Sequence, residues 1–301
     1  FDIWYNGFKP RAKVGEAELD RRVRQQYPSL DRFRRSMPAI LQRLGFVPAD
    51  AAFIGKRIEV DPARGAGHAW GAVMRSEPSH LRTRAVAGGM DYQGFNVAMH
   101  ELGHCAEQVL SLQKTDSWLM AGVPNTAVTE AFAFLFQNRD LEILGYPAAT
   151  SRARQLQALD TLWMTFEIAG VAMVDMKVWN WLYKNPGATP DALRRAVMAC
   201  PREVWNKYYA PIFGIRDQVI LAAYSHMIDA ALYLPDYPLG HIISFQLESY
   251  LKGKNIGREM ERMCRAGRLT PQLWMKNAVG EEISAKPLLA AAAEALKAIK
   301  K

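Results

Sequence analysis

The apolar positions of this chain fall into two regimes. In the first third, short alternating runs are interleaved with helical stretches; after a glycine pair, Gly88-Gly89, the helical period takes over almost completely. Residues 1–8 read as a short strand and turn. Helices are predicted at 16–27 and 29–44, the second opening at Ser29. Residues 56–61 alternate as a strand does, and 68–75 and 80–86 are two further short strand candidates, separated by Ser76-Glu77-Pro78-Ser79. Beyond Gly89, helices are predicted at 92–112, 124–142, 151–183, 188–208, 216–233, 237–252, 256–265, 270–278 and 285–299. The expected fold is mostly α with a small β-sheet (α+β). Residues 1–301 are expected to form one unit, with a small α/β portion at 1–90 and a helical portion at 91–301.

Helix 92–112 carries the chemistry. Its apolar residues at 95, 98, 99, 102, 105, 106, 109 and 110 recur at helical spacing and define a buried face. Within it lies His100-Glu101-Leu102-Gly103-His104, an H-E-x-x-H pattern. Two imidazoles four residues apart project from one side of a helix, so both can bind one Zn²⁺, and the intervening carboxylate can polarise a metal-bound water. The bland alternative is a helix whose two histidines merely pack or cap. Gly103 costs such a helix about 1 kcal/mol relative to alanine, which suggests that something packs closely against it.

A hydrolytic zinc site needs a third protein ligand and an open position. Glu130 is the best candidate: it is a lone carboxylate among Ala, Val and Phe, and an unpaired carboxylate is costly to bury. Pro124 and Asn125 make a plausible helix start, and the loop 113–123 would turn this helix back antiparallel to the first. The competing explanation is a salt bridge from Glu130 to an arginine. Glu107 is a second carboxylate nearby, but its rotation about the helix points it away from the face shared by His100 and His104.

Further candidates lie on either side. Gly67, His68 and Ala69 belong to a glycine-rich approach to a strand whose exposed edge could receive an extended peptide; an ordinary turn explains the glycines equally well. His226, Tyr233 and Tyr237 could stabilise the oxyanion formed when water adds to a peptide carbonyl, with Pro235 and Pro238 expected to break the helix and present them from a bent element. Core packing is the alternative for each tyrosine. Arg82 and Arg84 could hold a substrate carboxylate, although a surface strand accounts for them as well.

Composition narrows the partners. The formal charge is +8, with basic residues gathered at Arg21, Arg22, Arg24, Arg32, Arg34 and Arg35, but without a recognised module or stacking platform this favours solvated helix faces over nucleic acid. No apolar run reaches the length of a membrane span. The chain begins at Phe1 without a signal-like segment, so the expectation is a processed or trimmed product whose localisation is undetermined. Cys105, Cys200 and Cys264 are too few and too scattered for a cysteine-type zinc site.

Taken together, these residues resemble the thimet oligopeptidase and oligoendopeptidase F family of zinc metallopeptidases. Twenty-five residues separate His104 from Glu130, which is similar to that family's spacing between its H-E-x-x-H helix and the glutamate of the next helix. Tyr233-Leu-Pro-Asp-Tyr237-Pro-Leu-Gly240 is similar to its tyrosine-and-glycine signature. His226 matches the signature's histidine after a shift of one residue. The segment from Gly65 to Trp70 looks like its glycine-rich strand, and residues 280–289 resemble its tail. The resemblance covers residues 50–290. It implies a zincin-like catalytic domain, one Zn²⁺ held by His100, His104 and Glu130, Glu101 as general base, and peptide substrates. Family members are longer and carry an amino-terminal helical region walling a channel. The alternative function is a non-catalytic peptide-binding or scaffold protein that keeps the fold.

Overall fold

A computed structural model describes residues 14–65, 67–224 and 226–299. The strand and turn expected at 1–8 lie outside the described residues. Three helices open the chain: α1 (Glu16–Gln26), α2 (Leu30–Arg43) and α3 (Pro48–Gly55). Three strands follow, β1 (Ile58–Pro62), β2 (His68–Trp70) and β3 (Ser79–Thr83), and then eleven more helices. These are α4 (Tyr92–Lys114), α5 (Thr126–Gln137), α6 (Asp140–Ile143), α7 (Ser151–Lys184), α8 (Pro190–Tyr208), α9 (Ala210–Phe213), α10 (His226–Asp229), α11 (Asp236–Tyr250), α12 (Ile256–Cys264), α13 (Pro271–Val279) and α14 (Lys286–Ile299). The fold is mostly α with a small three-stranded sheet.

The sheet has the order β1-β3-β2, with β1 parallel and β2 antiparallel to β3. β2 is therefore an edge strand, with no further strand beside it among the described residues. β3 leads directly into α4. Asp91 caps that helix by accepting from the Gly94 amide at 2.7 Å, and Arg84, just beyond β3, pairs with Asp91. This bond fixes the entry of α4 and gives Arg84 a structural partner.

The predicted face of α4 is buried throughout. Phe95, Ala98, Met99, Leu102, Cys105, Ala106, Val109 and Leu110 all join one core with α5 residues Ala127, Val128, Ala131, Phe132, Leu135 and Phe136. Contacts pair Glu107 with Thr129, Gly103 with Ala133 and His100 with Gln137, so the two helices run antiparallel. Gly103 is where they touch. A Cβ there would lie 2.7 Å from Ala133 Cα and 2.8 Å from Phe132 O. A second core joins α7, α8 and α9, with Met227 and Leu234 added to it.

Five expectations change. Helix α3 lies where none was predicted; Pro48 at its first position suits a helix start. The second strand stops at Trp70 rather than running to 75, and a turn at 74–77 is closed by the Glu77 amide on the Met74 carbonyl. Residues 124–142 form two helices, divided after Gln137. The helix predicted at 216–233 is absent as such: a 3-10 turn at Ile220–Ala222 and the four-residue α10 replace it. Asp217 and Leu232 adopt left-handed φ values of 62° and 59°, which a right-handed helix cannot include. Finally, Pro235 precedes α11, but Pro238 does not break the helix as expected. It lies in the first turn of α11, where a missing N–H costs nothing.

Candidate metal centre

α4 and α5 bring His100, His104 and Glu130 together. His100 Nε2 and His104 Nε2 are 3.2 Å apart, His100 Nε2 is 3.4 Å from Glu130 Oε2, and His104 Nε2 is 3.7 Å from Glu130 Oε1. A cation bound tetrahedrally at about 2.0–2.1 Å has ligand-to-ligand edges of about 3.3 Å. The two imidazole nitrogens are spaced like one edge of such a tetrahedron, and a Glu130 oxygen lies close to each of them. Among the described residues this is the one group of three or more metal-type ligands.

Each imidazole is oriented from behind. His100 Nδ1 lies 3.0 Å from Gln137 Oε1, an oxygen that can only accept, so Nδ1 carries the proton and Nε2 presents its lone pair to the centre. Gln137 donates to Asn96 Oδ1, Asn96 donates to Asp140 Oδ2, and Tyr92 donates to the same oxygen. His104 Nδ1 meets Thr129 Oγ1 at 3.0 Å, while Thr129 donates its own proton to Glu107 Oε2 at 2.9 Å. Glu107, set aside as a ligand from its rotation, is instead the buried end of this chain, with Ser111 donating to its other oxygen. Sequence reasoning missed Thr129, Gln137, Asn96 and Asp140. The only available signal was polar residues on otherwise apolar helical faces.

The electrostatics favour positive charge between these groups. Burial alone would raise the Glu130 pKa, but the two histidines hold it below the usual carboxylate value. Burial would depress His100, but the Glu130 carboxylate, joined by Glu101 and Gln137, raises its pKa above the ordinary value. His104 is pushed down to about 4 by burial, aided by the adjacent His100. The set contains no arginine or lysine partner for Glu130, so the salt-bridge alternative to metal binding has no support in the geometry.

Glu101 lies on the same helix, buried beside the sheet edge. It accepts from the Ala69 amide, and its pKa is raised to about 7, first by burial and then by the nearby Glu130 charge against the opposing effect of His100. Gly67 is packed over it: a Cβ there would lie 2.3 Å from Val97 Cγ1 and 3.2 Å from Glu101 Cγ. His68 is exposed on β2 and close enough to act electrostatically on His104. A cavity of about 110 Å³ lined by Gly65, Gly67, Arg84, Gln93 and Val97 opens alongside.

The third group arrives from the other side. Tyr233 donates its hydroxyl to Glu130 Oε1 at 3.2 Å. Its ring packs edge-on against His226 at 5.4 Å and against Tyr237 at 5.1 Å, and His226 and Tyr237 stack at 6.4 Å. All three predicted residues are therefore neighbours, with Tyr233 in a turn and Tyr237 in α11. Gly240 lets α11 approach α5 closely, since a Cβ there would meet Glu130 Cβ at 3.0 Å. His241 follows it, buried against Phe134 and Thr165.

No family profile matches the chain, and no curated protein matches it by sequence. Solved structures do share its fold. A structure described as an oligoendopeptidase F aligns with a TM-score of 0.62 at 15% identity, covering 99% of this chain and 59% of its own. Pz peptidase A, solved with an inhibitor, aligns at 0.58 and 15% identity, over 89% of this chain and 48% of its own. A carboxypeptidase from Pyrococcus furiosus aligns at 0.53 and 17%, over 97% and 68%. The fold is thus one found in several solved peptidases, and the chain spans about half the length of the first two.

Proposed function

We propose that this chain is a zinc-dependent peptidase acting on oligopeptides. The observation that carries the reading is the convergence of His100 Nε2, His104 Nε2 and the Glu130 carboxylate, 3.2–3.7 Å apart, beside the buried Glu101 carboxylate at the sheet edge. The two-histidine, one-carboxylate set suits Zn²⁺ with one position open. When bound, zinc would polarise a peptide carbonyl and lower the pKa of water to about 7.

The chain's own residues supply the rest. A peptide adding as a strand would run along the edge of β2 at Gly67, His68 and Ala69, which the absence of a side chain at Gly67 lets pack closely on Val97 and Glu101 of α4. Glu101, poised near neutrality beneath that strand, would take a proton from the attacking water and deliver it to the leaving amine. Tyr233 and Tyr237, with His226 packed against both, are the groups able to donate to the developing oxyanion. His100, His104 and Glu130 hold the ion; their backing residues keep the imidazoles in register. The fold's occurrence in solved oligopeptidase and carboxypeptidase structures supports the same class.

The test is turnover of a quenched peptide library with and without chelator, with cleavage sites mapped by mass spectrometry. Glu101→Gln should keep zinc and lose about 10²- to 10⁴-fold in kcat. Full activity in that variant would sink the assignment, and zinc binding without any turnover in the parent protein would point to the non-catalytic alternative.

A further inference from the structure

β2 and the glycines that flank it alternate. Gly67, Ala69 and Gly71 turn toward α4: Gly67 packs on Val97 and Glu101, Ala69 packs on the core, and a Cβ at Gly71 would lie 2.9 Å from Gln108 Cδ. Successive strand residues face opposite sides, so His68 and Trp70 point away from α4, and both are exposed. Glu101 and Gln108 are about two turns apart on α4. The strand therefore runs alongside the helix, and its edge leads from the metal centre past Trp70 toward the helix end.

Apolar surface gathers there. Trp70 is 65% exposed; Val73 and Met74, just beyond it, are exposed too, as are Trp118 and Leu119 in the short turn after α4. Both segments are fastened to the same place. Arg75 donates to the Leu112 carbonyl at 3.0 Å and to the Thr115 carbonyl at 2.7 Å, and Gln113 donates to the Arg75 carbonyl at 2.7 Å. The Trp118–Met120 turn follows Thr115 closely, and the Arg268 amide holds it by donating to the Met120 carbonyl at 3.0 Å. A lone exposed apolar side chain needs no explanation, but a group of them gathered on pinned backbone marks a binding surface.

We propose that this ledge, Trp70 foremost, selects the substrate: peptides with a bulky apolar or aromatic residue within about four residues of the scissile bond, on one side of it. This rests on the peptidase reading above. The occupant is the substrate chain because the ledge continues the edge along which that chain would run. Gly67, packed on Glu101, and Trp70 are separated by about 10 Å of strand. On a neighbouring strand, the side chain opposite Trp70 shares its face at about 4.5–5.5 Å between Cβ atoms, where aromatic and β-branched partners are favoured.

The test uses the zinc-loaded protein and a peptide library, with cleavage sites mapped by mass spectrometry. Bulky apolar residues should be enriched about fivefold at one position within about four residues of the cut. A peptide with phenylalanine at that position and its alanine counterpart then give kcat/KM. Trp70→Thr should lower the value for the phenylalanine peptide about fivefold more than for the alanine peptide, mostly through KM. A cleavage profile without apolar preference, or equal losses on both peptides, overturns the proposal. So does a parent that self-associates in sedimentation velocity and is dissociated by Trp70→Thr with the preference intact, since the ledge would then be a contact between copies. If the parent shows no chelator-sensitive turnover, it is the proposed function that fails, and fluorescence polarisation with labelled phenylalanine-rich and alanine-rich peptides decides the ledge. Weaker binding of the phenylalanine-rich peptide alone in Trp70→Thr supports it; equal binding overturns it. Should Trp70→Thr not fold, Met74→Ser, on the exposed turn, carries the same readouts.

Discussion

His100, His104 and Glu130 reach the candidate centre from two regular antiparallel helices, whereas Tyr233 reaches it from a turn between short irregular elements. On the helical side, both imidazoles are backed by continuous hydrogen-bonded chains, and the backbones approach so closely that only glycine fits at residue 103. On the tyrosine side, the ring is held by two aromatic neighbours and by a turn containing a left-handed leucine. A rigid donor face suits an ion that must stay. A hydroxyl on a turn suits a group needed only as charge develops, and it can yield when substrate enters. The two sides should therefore fail differently when altered.

The sharpest separation uses one residue from each. His104→Ala removes a donor from the triangle and should lose the metal, lowering zinc affinity by at least about 10³-fold by competitive chelator titration. Tyr233→Phe should retain stoichiometric zinc by elemental analysis and lose about 10²-fold in kcat. If Tyr233→Phe instead released zinc, its bond to Glu130 would be part of ligand support and the contrast between the two sides would collapse.

The two sides were unequally legible in the sequence. All eight positions assigned to the buried face of α4 are buried, because a helical repeat encodes which side of a helix meets the core. Glu130 could be found because a lone carboxylate in an apolar helix needs a partner. Residues 216–233 looked helical for the same reason of period, and there it misled: Asp217 and Leu232 leave the helical region, and periodicity carries no information about backbone sign. Thr129 and Gln137 were invisible because their roles depend on which residue of a distant element lies opposite. The register between α4 and α5 is a long-range outcome of packing.

His241 joins the two sides, packing against Phe134 of α5 and meeting Thr165 of α7 at 3.3 Å. Burial pushes its pKa down to about 4, with the Glu130 charge opposing. An unfolded histidine takes up its proton near the ordinary value of about 6.5, so between these values the unfolded chain binds more protons than the folded one. The stability this residue allows is thus complete above pH 6.5 and is lost as pH falls toward 4. The cost at pH 5 is about 2 kcal/mol. His241→Asn should remove it, so the loss of stability between pH 7.5 and pH 5, measured by urea unfolding, should be smaller in the variant by that amount. Equal losses would mean that His241 takes up its proton as readily in the folded protein as in the unfolded chain, and so is not shielded in solution.

The smallest expected effect is the one that isolates the helical side. Thr129 accepts from His104 Nδ1 and donates to Glu107, two roles that one hydroxyl can fill together. Valine has nearly the same shape and fills neither. In Thr129→Val the imidazole keeps its place on α4 but loses the acceptor that selects its tautomer, so zinc affinity should fall by about 10-fold. Glu107 would also lose one of its donors while still accepting from Ser111, and stability should fall by about 1 kcal/mol. With zinc saturating, kcat should stay within about twofold of the parent, because Glu101 and Tyr233 do not touch this chain. A large fall in kcat at full zinc occupancy would show that the orientation of His104 also tunes the reacting groups, and that the two sides of the centre are coupled rather than separate.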